Sequence, residues 1–217
     1  MIQLMAVTAK VETSFPVAAI VLAAGGSVRM GQPKQLLTIG GRPMVRRVAE
    51  AVCGTGLAQV VVVVGAGSAA VTQALAGLPV TIVVNEAWAN GLSTSMRVGI
   101  RNLRPEIQAA LIVLADQPAL TPDSLKTLVV RYRATGAPIV APFFRGRRGN
   151  PVLFDRMLFP ELLVIEGDQG GRALLSRYGQ QMERVDVNDA AVTIDIDTRQ
   201  DYEGVREPGD DDKPRRQ

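Results

Sequence analysis

Apolar runs alternate with amphipathic stretches along most of this chain. Val17 to Ala24 (VAAIVLAA), Gln59 to Gly65 (QVVVVVG), Val80 to Asn85 and Ala109 to Ala115 (AALIVLA) are nearly continuous in hydrophobic residues. Such runs mark strands buried on both faces; a half-exposed strand would alternate. Helix signals lie between them. Pro43 opens one helix, with Met44, Val45, Val48 and Val52 at helical spacing and Gly54 as its stop. Ser68 to Leu75 is a short helix ended by Gly77. Ser93 is expected to cap a helix that carries Met96, Ile100 and Leu103 on one face. Thr121 and Pro122 are the expected N-cap and first residue of a helix running from Asp123 to Arg133. Strands and helices in this alternation predict an α/β fold with a parallel sheet covered on both faces. Such sheets take ligands at the carboxyl ends of their strands. The glycine-rich stretch after the first strand and Asp116 after the fourth both fall there.

The pattern shifts after residue 137. Pro138 to Phe143 and Pro151 to Phe154 are short strands joined by the basic turn RGRRGN. Helical patches follow at Asp155 to Leu163 and Gly171 to Tyr178, then strands at Glu183 to Val187 and Val192 to Ile196. This region is expected to extend the main sheet in antiparallel fashion. Residues 1–15 lack a basic start followed by a long apolar stretch, so they read as a loose leader and not as a signal peptide. Residues 16–206 read as one domain. Residues 207–217 (EPGDDDKPRRQ) are polar and mixed in charge, which predicts a disordered tail.

Composition narrows the chemistry. The 217 residues contain no histidine, which removes Ser-His-Asp triads, Cys-His dyads and His-ligated zinc. A metal would need oxygen ligands, which favours Mg²⁺ or Mn²⁺. The lone cysteine, Cys53, allows no internal disulfide, fits a cytoplasmic location and reads as a buried thiol. The net charge of +3 suits anionic ligands, while 4% aromatics argue against nucleic-acid binding. No apolar run is long enough to span a membrane.

Gly25, Gly26 and Gly31 allow close approach of backbone N–H groups to phosphate oxygens, and Arg29 and Lys34 add positive charge to the same segment. The spacing GSVRMGQPK fits neither the P-loop nor the dinucleotide loop. On residues alone, Asp116 is either a metal ligand or a cap for the turn at Gln117-Pro118. Asp197, with Asp195 on the same expected strand face, is either a second metal ligand or part of a strand end where Asp197-Thr198 caps the next helix.

LAAGGSVRMGQPKQLLTIGGRPM, from Leu22 to Met44, resembles the signature L-A-[AG]-G-x-S-x-R-M-G-x-x-K, L-L, G-x-P of the MobA-like nucleotidyltransferases. These comprise the molybdenum cofactor guanylyl- and cytidylyltransferases. NEAWANGLSTSMRVGI, LADQP, GNPVLF, GDQGGRALL and DIDTRQDY extend the resemblance along nearly the whole chain. Ala24 makes the loop LAAG, as in the cytidylyl branch, where the guanylyl branch tends to read LAGG.

The resemblance implies a Rossmann-like three-layer sandwich and a Mg²⁺-dependent transfer of CMP from CTP to the phosphate of molybdopterin, with loss of pyrophosphate. That chemistry needs charge neutralisation and in-line alignment but no histidine. The resemblance assigns catalysis to Arg29, Lys34 and Asp116, and metal binding to Asp116 and Asp197. Nucleotide contacts fall to Leu22, Ala23, Ala24, Gly25, Gly26, Ser27, Arg29, Lys34, Asn85 and Ser95. Arg148, Asn150, Asp168 and Arg172 would receive the pterin substrate. The implied partners are CTP or another NTP, a molybdopterin-type cofactor, and a molybdenum hydroxylase or its maturation factor. Trp88 either packs beside the base or anchors its loop by packing, and Arg145 and Arg147 read as solvated. Other readings are a guanylyl- or other nucleotidyltransferase with a different phosphorylated acceptor, an NAD(P)-linked oxidoreductase, or a cofactor-binding chaperone.

Overall fold

Seven successive buried residues, Val17–Ala23, form strand β1 in the interior of the sheet. The computed structural model describes residues 15–26, 33–167 and 171–206, together with Asp210. Beyond β1 the elements are β2 (Thr38–Ile39), β3 (Arg42–Pro43), α1 (Met44–Cys53), β4 (Gln59–Val64), α2 (Ser68–Ala74) and β5 (Thr81–Val84). Next come α3 (Leu92–Arg101), β6 (Ala109–Leu114), α4 (Pro122–Thr135), β7 (Ile139–Phe144), β8 (Arg147–Arg148) and β9 (Val152–Asp155). The chain continues through α5 (Phe159–Val164), α6 (Arg172–Arg177), β10 (Met182–Asp186) and α7 (Arg199–Val205).

The sheet order is β10-β7-β9-β6-β1-β4-β5, with β8 paired to β7. Strand β1 lies parallel to both β4 and β6. Alternate β1 side chains enter two different cores. Val17, Ala19 and Val21 pack with Val45, Val48, Val52, Leu125 and Leu128 from α1 and α4. Ile20 and Leu22 pack with Met96, Ile100, Leu162 and Leu174 from α3, α5 and α6. A strand covered on both faces must be apolar at every position, which is why its sequence does not alternate. The result is a three-layer, mostly parallel α/β sandwich.

From β1 the chain builds outward through β4 to β5, then returns to place β6 on the other flank of β1. The order therefore reverses between β1 and β6. At such a switch point the connections leave in opposite directions and open a crevice at the strand carboxyl ends. Among the described residues, no helix is long and apolar enough to cross a membrane.

Several expectations are corrected. The extension is not antiparallel throughout: β9 runs antiparallel to β6 and β7, but β10 runs parallel to β7. Helices α5 and α6 separate β9 from β10 and supply the long crossover that a parallel neighbour requires. Val192 to Ile196 is not a strand. Asp189 Oδ1 accepts from the Ala191 backbone N–H at 2.9 Å and starts a 3-10 turn over Ala190–Thr193. Val192 and Ile196 are each 1% exposed while Ile194 is 43% exposed, so the two-residue alternation fails. Asp195 and Asp197 consequently share no strand face.

Ser93 does not cap α3. The N-cap is Gly91, and Ser93 lies inside the first turn, buried with its Oγ unpartnered. The cap of α4 is as expected: Thr121 Oγ1 accepts from the Ser124 N–H at 3.2 Å, with Pro122 next in line. The expected leader lies outside the described residues except at Phe15. So does the expected tail, apart from Asp210, whose carboxylate accepts from the N–H groups of Gly40 and Gly41 at 3.1 and 2.8 Å.

Candidate functional site

Three segments far apart in sequence meet at the switch point. Lys34 opens a 3-10 turn after the glycine loop, Asp116 ends the β6 region, and Asp197 precedes α7. Lys34 Nζ donates to Asp116 Oδ2 at 2.7 Å, to Asp197 Oδ1 at 2.7 Å and to the Ile196 carbonyl at 3.1 Å. Burial works against the Lys34 ammonium, but Asp116 and then Asp197 more than offset it, so the group is held above the ordinary lysine value. Asp195 also lies near these carboxylates. Burial, reinforced by Asp197 and Asp116, pushes its carboxyl above its usual range.

The Lys34–Asp197 ion pair does not by itself anchor Asp197. The Asp197 side chain is 48% exposed, and an ion pair of that kind is worth about 0–1 kcal/mol. Burial does more. Ile196 and Tyr202 are fully enclosed in a small core with Leu37, Ile39 and Met44, and a buried side chain of that size contributes about 1.5–3 kcal/mol. Tyr202 Oη donates to the Thr38 carbonyl at 2.8 Å, and the Ile196 N–H donates to the Asp116 carbonyl at 2.9 Å. Asp201, within the capping box of α7, accepts from the Asp197 and Thr198 N–H groups at 3.1 and 2.8 Å. Thr198, not Asp197, is the side chain that caps this helix.

A cavity of about 320 Å³ opens at this point. Its walls include Leu22, Ala23, Ala24, Gly25 and Gly26 from the end of β1, Leu114 to Asp116 from the end of β6, and Lys34, Trp88, Leu92 and Ser95. Most of the expected nucleotide-binding residues therefore line one space. Asn85 stands behind the wall. It is buried, and its Nδ2 donates to Thr94 Oγ1 and Ser95 Oγ at 2.8 and 2.9 Å. Gln35 is a lining residue that the sequence does not single out. Its Nε2 donates to the carbonyls of Ala23 and Gly25 at 3.0 and 2.6 Å and so braces the turn out of β1. No local periodicity announces a contact of this kind.

A second cavity, of about 120 Å³, adjoins the first and shares Leu22, Leu92 and Leu114 with it. Its remaining walls are Arg148, Asn150 and Arg172 above an apolar floor that includes Met96, Ile112, Val152, Phe154 and Leu175. All of the described residues expected at the pterin site thus meet in one place. Partial burial, and then the neighbouring Arg172 guanidinium, lower the Arg148 pKa. Neither arginine has a carboxylate partner among the described residues, and the Arg148 side chain donates only to the Gly149 carbonyl, at 3.2 Å. Ser27, Arg29 and Asp168 lie outside the described residues.

Comparison with known proteins agrees with this architecture. The model of the MobA-like NTP transferase domain matches residues 19–185. The chain is 32% identical over 196 residues to nicotine blue oxidoreductase of Paenarthrobacter nicotinovorans, covering 86% of this chain and 95% of that one. The crystal structure of Rv0371c from Mycobacterium tuberculosis H37Rv superposes with a TM-score of 0.80 at 29% identity, covering 88% of this chain and 98% of that one. The same protein in complex with manganese superposes with a TM-score of 0.75 at 28% identity, covering 88% and 97%. With the family match spanning both cavities and the switch point between them, this chain belongs to the MobA-like NTP transferase family and is a nucleotidyltransferase.

Proposed function

We propose that the protein transfers CMP from CTP to the phosphate of a molybdopterin-type cofactor. The acceptor phosphate oxygen forms a bond to the α-phosphorus, the bond to the β-phosphate oxygen breaks, and pyrophosphate leaves. The observation that carries this reading is the pair of adjoining cavities at the switch point. One holds Lys34, Asp116 and the glycine turn; the other holds Arg148, Asn150 and Arg172.

The residues fit a divalent cation. Asp116 Oδ1 is buried without a hydrogen-bond partner, and Asp197 lies alongside. Among the described residues no cluster of three or more candidate ligands forms a closed cage. Mg²⁺ characteristically uses one or two carboxylates and completes its shell with water and substrate phosphates. The manganese complex of the mycobacterial relative supports the same assignment. Bound Mg²⁺ or Mn²⁺ would neutralise phosphate charge.

The chain's own groups do the rest. The backbone at Gly25 and Gly26 receives phosphate oxygens, and Lys34 supplies a point charge to the triphosphate. Arg29 and Ser27, in the same stretch of sequence, share that role. Ser95 contacts the nucleotide, with Asn85 orienting its hydroxyl. Arg148 and Arg172 clamp the acceptor phosphate, while Asn150 and Asp168 hydrogen-bond the pterin. Alignment of acceptor and α-phosphate is the main source of rate, since an ionised phosphate needs no general base. Ala24 lines the nucleotide cavity and carries the preference for cytidine over guanosine.

The test is pyrophosphate release with Mg²⁺, molybdenum cofactor and each NTP in turn. CTP-specific release that disappears in Asp116→Ala supports the reading. Absence of release with every NTP, alongside NAD(P)H oxidation, overturns it. That second outcome would favour an oxidoreductase, the activity in the name of the relative from Paenarthrobacter nicotinovorans.

A further inference from the structure

Trp88 is the single tryptophan of the chain and lines the larger cavity. It opens the 3-10 turn Trp88–Asn90, half-buried, just after β5. Its side chain bridges two strand ends. A Cβ added at Gly65, just beyond β4, would lie 2.8 Å from the Trp88 Cβ. A Cβ added at Gly26, beyond β1, would lie 2.7 Å from ring atom Cζ3 and 3.1 Å from Cη2. Neither glycine has a positive φ, so each is needed for space and not for backbone angle. The indole is thereby laid across the carboxyl ends of two adjacent parallel strands, where sheets of this kind take their ligands.

A buried polar network supports the turn from behind. Asn85 Oδ1 accepts from the Ala87 N–H at 3.0 Å, and Asn85 Nδ2 donates to Thr94 and Ser95. Thr94 Oγ1 lies 3.1 Å from the Ala87 carbonyl and 2.8 Å from the Gly91 carbonyl. The residues on both sides of the Trp88 turn are therefore tied to Asn85 and Thr94. A buried network satisfied in this way makes the local structure rigid. Around the indole, the cavity wall consists of small and apolar groups such as Ala24 and Leu92, with the Ser95 hydroxyl among them, while Lys34 and Asp116 carry the charge. A planar ring with polar edges suits such a wall; a bare polyphosphate does not.

We propose that the Trp88 indole is the face against which the nucleobase of the bound nucleoside triphosphate packs. The Asn85–Thr94 network holds that face in position. The inference rests on the reading of the larger cavity as the nucleotide site. Of the two roles open to Trp88 in the sequence, it selects packing against the base, on the strength of the indole's place across two strand ends.

Because the chain has one tryptophan, its emission reports on this contact directly. The unmodified protein is titrated with CTP and, separately, with inorganic tripolyphosphate, which carries the charge but no base; no acceptor is present. CTP is expected to change the emission saturably. Tripolyphosphate is expected to compete with CTP without reproducing the change. In turnover assays Trp88→Ala should raise KM for CTP about tenfold or more with little change in kcat, as expected for loss of one base–aromatic stack, and Trp88→Phe should retain most of the affinity. Calorimetric binding of CTP with unchanged emission, an identical change with tripolyphosphate, or an unaltered KM in Trp88→Ala would each overturn the inference. Absence of CTP binding overturns it as well. A base-dependent emission change without pyrophosphate release from any NTP keeps the inference and defeats the transfer reading. Pyrophosphate release from CTP with unchanged emission does the reverse.

Discussion

In the larger cavity Lys34 sits between two carboxylates, each 2.7 Å from its ammonium; in the smaller one Arg148 and Arg172 face each other with no carboxylate partner among the described residues. The first arrangement sets one cation between two carboxylates. Its cation is raised in pKa and its carboxylates gain a charge-assisted partner. The second places two guanidinium groups close together, and burial followed by Arg172 lowers the Arg148 pKa. On the proposed reading, an acceptor phosphate supplies the counter-charge that the smaller cavity lacks, whereas in the larger one substrate phosphates compete with partners Lys34 already has.

Breaking the larger cavity should have the greatest effect. Asp116→Asn removes one of the two carboxylate charges that flank Lys34, and kcat for pyrophosphate release should fall about a thousandfold, in line with loss of a preorganised electrostatic group. Next is Arg172→Ala. Losing one charge-assisted phosphate contact should raise KM for the acceptor about tenfold to a hundredfold while KM for CTP stays constant. Its thermal stability should hold or rise, because Arg148 is freed of a like charge. Equal changes in both KM values would erase the distinction between the cavities.

Lys34→Met leaves Asp116 and Asp197 facing each other. Stability should fall by about 1–2 kcal/mol, discounted for the exposure of Asp197, and millimolar Mn²⁺ should restore part of the melting temperature. The smallest effect concerns the support of Asp197. Hydrogen bonds from Thr198, then from the Asp197 backbone, hold the Asp201 carboxyl below its ordinary pKa of 3.8. A depressed carboxyl stabilises the fold above its unfolded-state value, and that contribution disappears as pH falls through the folded value. Melting curves across acidic pH should show this slight loss in the unmodified chain and a shallower dependence in Asp201→Asn.

The legibility of these features varies by residue. The buried strands were readable because a strand covered on both faces needs apolar residues throughout, as in β1 and β6. The cap at Thr121 was readable because a hydroxyl followed by proline acts locally. The sequence pattern puts Asp197 on one strand face with Asp195; instead Asp197 reaches Asp116 through a 3-10 turn, the burial of Ile196 and the cap of α7. Asn85 was expected at the nucleotide, yet its amide is engaged behind the wall with Thr94 and Ser95. Gln35 gave no signal, since its role is to donate to carbonyls of a strand end ten and twelve residues earlier.

The α/β class, the central strands and the available chemistry follow from local sequence: no histidine, glycine and cationic residues after the first strand, and a carboxylate after the fourth. These depend on side-chain periodicity and residue type, which act over a few neighbouring positions. The folded sheet brings Lys34 to Asp116 across 82 residues and to Asp197 across 163, and it sets Arg148 and Arg172 in one cavity wall. Those meetings depend on strand order and on which core each helix enters, and both are set by the packing of the whole sheet.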